Sequence, residues 1–319
     1  QIKNMTILAN DGLSSNATAI LVENNFEVIT TKVAQEQLIR FINNNNIEVL
    51  IIRNATKVRL NLLLDCPALK VICKGGNKFE REVELQISAS GKQLIYAEES
   101  TSIAIAEMVF AHLFSGARML YDANRLMPLE GDSNFDSLQK GFASGQELRG
   151  KTLGIIGFNK SGKEVAKYAT ALGMRVLISD STEENPEVSV DFYSGQSVSV
   201  ILEDVDRKVL LASSDYISLH IDEQEDYVIS KSDFDAMKDG VGIINCAFGR
   251  ALNEVDLIAA LEEEKVLFAG IDRFEEEPTP AIQVLMHPQI SLSPNIARSS
   301  IDVQDRTDLE FATFLLSKF

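Results

Sequence analysis

The chain has 319 residues, 45% of them hydrophobic, enough to bury a substantial core and to divide into two domains. Its net charge of −17, with no basic cluster, argues against nucleic acids and anionic membranes as partners, since both require phosphate-neutralising Lys and Arg. No apolar run reaches the roughly 18 residues of a membrane span, and residues 1–25 carry polar and charged groups throughout, unlike a signal peptide, so a cytoplasmic location is expected.

Residues 4–53 alternate NMTILAND, a helical stretch over 17–25, FEVITT, a second helical stretch over 35–44, and IEVLIIRN. This βαβαβ order predicts a parallel sheet with helices on both faces. Strands are predicted at 69–73 and 94–97, with the loop KGGNKFE over 74–80 between them. Apolar residues at helical spacing (Ile103, Ala106, Val109, Phe110, Leu113, Ala117) predict a helix over 102–120 that leads into a second domain. Residues 127–150 mix turn signals and charge and are expected to form an irregular arm.

The stretch 150–181, GKTLGIIGFNKSGKEVAKYATALGMRVLISDS, reads as strand, tight turn, helix and strand. A nucleotide-binding turn needs a glycine for its bend, a second where backbone meets pyrophosphate and a third where helix packs on strand. Gly157 and Gly162 hold the outer positions, but the middle one is Asn159, followed by Lys160 and Ser161. A side chain there projects into the pyrophosphate space or makes the turn relax, and such a degenerate turn also suits an ordinary strand-to-helix connection. Asp180 ends the second strand where a carboxylate accepts from the adenosine ribose, which favours NAD over NADP. Strands at 216–221, 242–246 and 267–272 follow, with helices at 254–261 and 307–319; Glu262, Glu263 and Glu264 read as a solvated helix end. Cys66, Cys73 and Cys246 lack CxxC spacing and are expected as buried free thiols, and the dispersed His112, His220 and His287 imply no metal site.

With these residues laid out, the chain resembles the D-isomer-specific 2-hydroxyacid dehydrogenases, and within them the phosphoglycerate dehydrogenases that lack a C-terminal regulatory domain. The resemblance covers almost the whole length and is carried by ANDG, IIRNATKV, AEMVFAHLF, MPLEGD, ELRGKTLGIIGF, LGMRV, DGVGIINCA, VLFAGIDRFEEEPTPAI and SPNI. It implies an α/β fold of two doubly wound Rossmann/flavodoxin-like domains with parallel sheets, the formate/glycerate-dehydrogenase-like architecture. A substrate-binding domain would comprise residues 1–100 plus 299–319, with an NAD-binding Rossmann domain at 101–298 between them. NAD is the implied cofactor, met by the 157–162 turn, Asp180, Cys246, Ala247 and Asp272. A small anionic substrate would meet Arg53, Lys74, Gly75 and Gly76, and a homodimer would form through the helix after Ser102 and the segment near residues 127–132.

Hydride transfer in that family needs a cation to hold and polarise the substrate, a group to move a proton, and a carboxylate to orient that group. The family supplies an arginine in N-x-[AS]-R-G, a histidine in P-H-I-G and a glutamate in D-x-F-x-x-E-P. In this chain the arginine position is Phe248 and the histidine position is Asn295, while the glutamate is kept as Glu277 with nothing left to orient. An amide has no pKa near neutrality and a phenyl ring cannot neutralise a carboxylate. The substrate loop reads Lys74-Gly75-Gly76-Asn77, and Tyr96, Glu98 and Ala104 alter polar positions near the cofactor. Arg250 and Arg298 lie near the vacated positions but read as solvated surface arginines. The expectation is a catalytically impaired member with a binding or regulatory role, or a cofactor sensor; the alternative is an active NAD-dependent oxidoreductase on 3-phosphoglycerate or another 2-hydroxy acid.

Overall fold

The computed structural model describes residues 5–76 and 78–319, without the side chain of Glu98; the loop residue Asn77 lies outside the described residues. The chain divides into two compact units, one holding the residues up to Thr101 together with Arg298–Phe319, the other Ser102–Ala297.

The first unit runs β1 (Thr6–Ala9), α1 (Ser15–Glu23), β2 (Glu27–Ile29), α2 (Leu38–Asn44), β3 (Val49–Ile52), α3 (Leu60–Asp65), β4 (Val71–Lys74), α4 (Arg81–Ala89) and β5 (Gln93–Tyr96). All its strand pairs are parallel, in the order β2-β1-β3-β4-β5, which is the flavodoxin-like winding. β1, β3 and β4 are buried along their whole lengths, as expected for strands covered on both faces.

The unit boundary falls inside α5 (Glu98–Ala117). Beyond it, α6 (Leu120–Glu130) and α7 (Phe135–Gly141) occupy the segment expected to be an irregular arm. Pro128 lies within α6, and the turn signals at Gly131 and Asp132 mark only the break between two helices. Neither helix buries a side chain, so no core-facing stripe was there to advertise them.

The second unit continues with β6 (Thr152–Ile156), α8 (Lys160–Ala171), β7 (Arg175–Ser179), β8 (Glu187–Asp191), β9 (Ser197–Ile201), β10 (Glu203–Asp204), α9 (Arg207–Ser213) and β11 (Tyr216–Leu219). Then come α10 (Lys231–Ala236), β12 (Val241–Asn245), α11 (Glu254–Glu262), β13 (Val266–Ile271), α12 (Ile282–Met286) and β14 (Ile290–Leu292). Its described residues form a parallel sheet in the order β10-β7-β6-β11-β12-β13-β14, a doubly wound Rossmann arrangement with the crossover point beside β6. The antiparallel hairpin β8–β9 is an addition that the sequence reading missed, although EVSVD and SVSVI alternate as strands do. The chain then returns to the first unit, where α13 (Ile301–Lys318) packs on α1. Cys66, Cys73 and Cys246 are free and buried.

Candidate functional site

The turn after β6 keeps its two outer glycines for physical reasons. Gly157 has φ +89°, and a Cβ on it would lie 2.5 Å from the His220 carbonyl oxygen; one on Gly162 would lie 2.5 Å from the Gly157 oxygen. Between them Asn159 is the N-cap of α8, with extended backbone (φ −76°, ψ −175°) that needs no glycine. Its side chain does not project outward. Its Oδ1 accepts from the amides of Ser161 and Gly162, both at 3.1 Å, and from the Ser161 hydroxyl at 2.8 Å. Lys160 is the first residue of the helix, and Asp180 follows β7 as an exposed residue at φ +64°.

At the ends of β12, β13 and β14 the structure gathers the positions expected to carry chemistry. Asn245 brackets the turn after β12: its Oδ1 accepts from the Ala247 amide at 3.1 Å and its Nδ2 donates to the Phe248 carbonyl at 2.9 Å. Cys246 is buried, and Phe248, 3% exposed, has joined the hydrophobic core with Ala251, Ile271 and Phe274. Asp272 is buried and accepts from the Ser293 hydroxyl at 2.6 Å and the amides of Ile296 and Ala297 at 2.9 and 3.0 Å, pinning the turn that carries Asn295. Ser293 also meets His112 of α5, whose two ring nitrogens lie 2.9 Å from the hydroxyls of Ser291 and Ser293. Burial holds the His112 pKa below its ordinary value, against the pull of Asp272.

Glu277 is not left idle, which corrects the expectation from sequence. Its Oε2 accepts from Asn295 Nδ2 at 2.8 Å, and its Oε1 accepts from Arg273 Nε at 2.9 Å and the Phe274 amide at 3.1 Å. Asn295 stands at φ +53°, in the left-handed region that asparagine tolerates better than most residues. Arg273, which the sequence reading passed over, also reaches the Ala247 carbonyl at 3.4 Å. The pair lies in an irregular segment, where a spacing of four carries no helical signal, so nothing local in the sequence announced it. Arg250 instead lies over the Tyr227 ring, 5.0 Å from its centroid.

In the first unit, Arg53 donates to Asp308 at 2.7 Å, and burial raises the Asp308 pKa although Arg53 opposes the rise. Lys74 is 4% exposed and donates to Asn54 Oδ1 at 2.8 Å and the Gly75 carbonyl at 2.7 Å; burial lowers its pKa to about 8. Gly75 packs on Arg53 and Thr307, and Gly76, at φ +77°, sits against the Asn54 amide. A cavity of about 550 Å³ is lined by Asp11, Lys32, Arg53, Asn54, Gly76 and Arg298 among others, and a smaller one by Lys74, Lys78 and Arg298. The Asp11 carboxylate is held low: burial raises it, but bonds from Lys32, the Arg53 and Thr56 amides and the Thr56 hydroxyl outweigh that.

Residues 110–297 match the model of the D-isomer specific 2-hydroxyacid dehydrogenase NAD binding domain. The chain belongs to this family. A hydroxypyruvate reductase from Thermotoga maritima is 30% identical over 94% of both chains. A D-3-phosphoglycerate dehydrogenase from Archaeoglobus fulgidus is 33% identical over 94% of this chain but 54% of its own length, so the chain spans about half of that relative. The crystal structure of a glyoxylate reductase from Paecilomyes thermophila superposes with a TM-score of 0.78 at 22% identity, covering 99% of this chain and 95% of that one, a likeness of fold.

The family's domain binds NAD, and this member's residues fit that cofactor at the turn backbone and at Asp180, whose strand-end carboxylate is exposed. They depart from it at the helix N-terminus, where Asn159 occupies amides that a pyrophosphate would use. Among the described residues, no group of three His, Cys, Asp or Glu is placed to hold a metal ion, and no single helix is long and apolar enough to cross a membrane.

Proposed function

We propose that this family member binds a small anionic ligand and a nicotinamide dinucleotide but is impaired in hydride transfer, so that its role is binding or regulation. The observation that carries the reading is the constellation around Glu277. Where an imidazole would move a proton, the Asn295 amide is hydrogen-bonded to Glu277, and Arg273 already neutralises that carboxylate. Where a cation would polarise the substrate, Phe248 is buried in the core. A missing general acid slows such reactions by about 10² to 10⁴, and a missing charge-stabilising donor removes about 3 kcal/mol more. In this reading Glu277 is the retained catalytic carboxylate, and Phe248 and Asn295 stand at the substituted arginine and histidine positions.

The substrate-binding domain is assigned to residues 1–100 plus 299–319 and the NAD domain to 101–298. Lys32, Arg53 and Arg298 around the first unit's cavity suit a carboxylate or phosphate, as in the hydroxy and keto acids that the relatives' names specify. Exposed Leu120, Met127, Leu129 and Phe135 on α6 and α7 support a homodimer formed through them, and a monomeric mass by light scattering at micromolar concentration would remove that assignment. The location is cytoplasmic in this reading.

The test is turnover of 3-phosphoglycerate with NAD, and of hydroxypyruvate and glyoxylate with NADH. Rates near the protein-free background are expected. Robust turnover that disappears in Glu277→Ala would instead establish the second reading, an active oxidoreductase in which Arg273 replaces the family cation; its position between Glu277 and the Ala247 carbonyl is what favours that alternative.

A further inference from the structure

We propose that Asn159 is an internal competitor for the cofactor's pyrophosphate, its side-chain carbonyl standing in for a phosphate oxygen at the N-terminus of α8. The first amides of a helix have no intrahelical acceptor and carry the positive end of its dipole, which is why diphosphates settle there. In this protein the Ser161 and Gly162 amides both already point at Asn159 Oδ1, each at 3.1 Å. The arrangement is braced from behind. The Ser161 hydroxyl donates to the same oxygen at 2.8 Å and lies 2.9 Å from His220 Nδ1, while His220 Nε2 is 2.8 Å from the buried Ser218 hydroxyl.

The backbone, by contrast, retains the shape of a dinucleotide turn. Gly157 and Gly162 make the close approaches that only glycine permits, and Asn159 itself has dihedral angles open to any residue. The obstacle is therefore one side chain that can rotate. An amide oxygen is a neutral acceptor, so an incoming diphosphate is electrostatically the better partner at this helix end. To engage it, the ligand must first turn Asn159 away and break its three hydrogen bonds. The burden falls only on ligands that carry the diphosphate; the adenosine portion, directed to Asp180, is untouched. Asn159 thus weakens dinucleotides selectively and lowers their advantage over nucleosides.

The inference rests on the reading that the second unit binds NAD, and the experiment separates the two. The full chain and its Asn159→Gly and Asn159→Asp variants are titrated with NADH by nicotinamide fluorescence, favoured by the lack of tryptophan, and with ADP and adenosine by calorimetry. Glycine is a good N-cap, so N159G keeps its fold. N159G is expected to bind NADH and ADP at least about tenfold more tightly than the wild type, with adenosine affinity unchanged within about twofold. N159D, which caps the same amides with a full negative charge, should bind NADH and ADP at least about tenfold more weakly. Equal affinities of wild type and N159G for NADH and ADP would overturn the proposal while leaving the cofactor reading intact. Failure of all three ligands to bind either protein at millimolar concentration would overturn both.

Discussion

Positions 248 and 295 both lack the side chain that the family's chemistry uses, yet the structure treats them in opposite ways. Phe248 has been taken into the packing of the second unit, sealed at 3% exposure in its hydrophobic core. Asn295 keeps its place beside Glu277, at hydrogen-bond distance and in a left-handed backbone that also suits histidine. The first site has exchanged chemistry for stability, and the second has kept the geometry and dropped only the titrating group. Reversing the two changes should therefore have unequal consequences.

The largest effect is expected from Phe248→Arg, which places an unpaired guanidinium in the core and should lower stability by about 3 to 5 kcal/mol in urea unfolding. A variant as stable as the wild type would show that position 248 is not the committed half of the contrast. Asn295→His should fold normally and raise keto-acid reduction by about 100-fold over the wild type, with a pH dependence that the wild type lacks. A flat pH profile at unchanged rate would mean that Glu277 is not placed to orient an imidazole.

Lys74 carries the contrast into the first unit, since it is buried as Phe248 is but still titrates. Its folded pKa is about 8, lowered chiefly by burial from an ordinary 10.5, so between those values the unfolded chain holds more protons than the folded one. Below pH 8 the penalty of burying the charge is fully present, and as pH rises toward 10.5 the wild type should gain about 3 kcal/mol from this group. Lys74→Met should lack that gain; parallel pH trends for the two proteins would contradict the assignment. The smallest change is Glu277→Gln, which converts an acceptor-only carboxylate into an amide facing Arg273 and Asn295. About 1 kcal/mol should be lost in thermal unfolding, and no loss would mean that the Arg273–Glu277–Asn295 ladder is slack.

The fold was largely legible in the sequence because parallel strands buried on both faces appear as unbroken apolar runs: VLII of β3 and VGIIN of β12 can be little else. Helices α6 and α7 were not legible because they bury nothing, and periodicity registers only where a core face exists. At the site, the identities of Phe248 and Asn295 could be read directly. What could not be read is where side chains turn: Asn159 folding back on its own helix, Arg273 reaching Glu277, and Arg250 covering Tyr227. An asparagine directly before the start of a helix, where its side chain can cap the first turn, was the local hint for the first of these.

The contact between His112 and the serines of the segment after β13 fixes more than a position. A neutral imidazole offers one hydrogen and one lone pair in its ring plane, and the depressed pKa of His112 keeps it neutral. Ser293 gives its only hydroxyl hydrogen to Asp272, so it can only accept from the ring. The proton must then sit on Nε2, leaving Nδ1 to receive one from Ser291. A single tautomer is selected, and the hydrogens from Ser291 through His112 and Ser293 all point toward Asp272. The row has a fixed polarity, so a second proton on the ring would have to turn the Ser291 hydroxyl around before it could be accommodated.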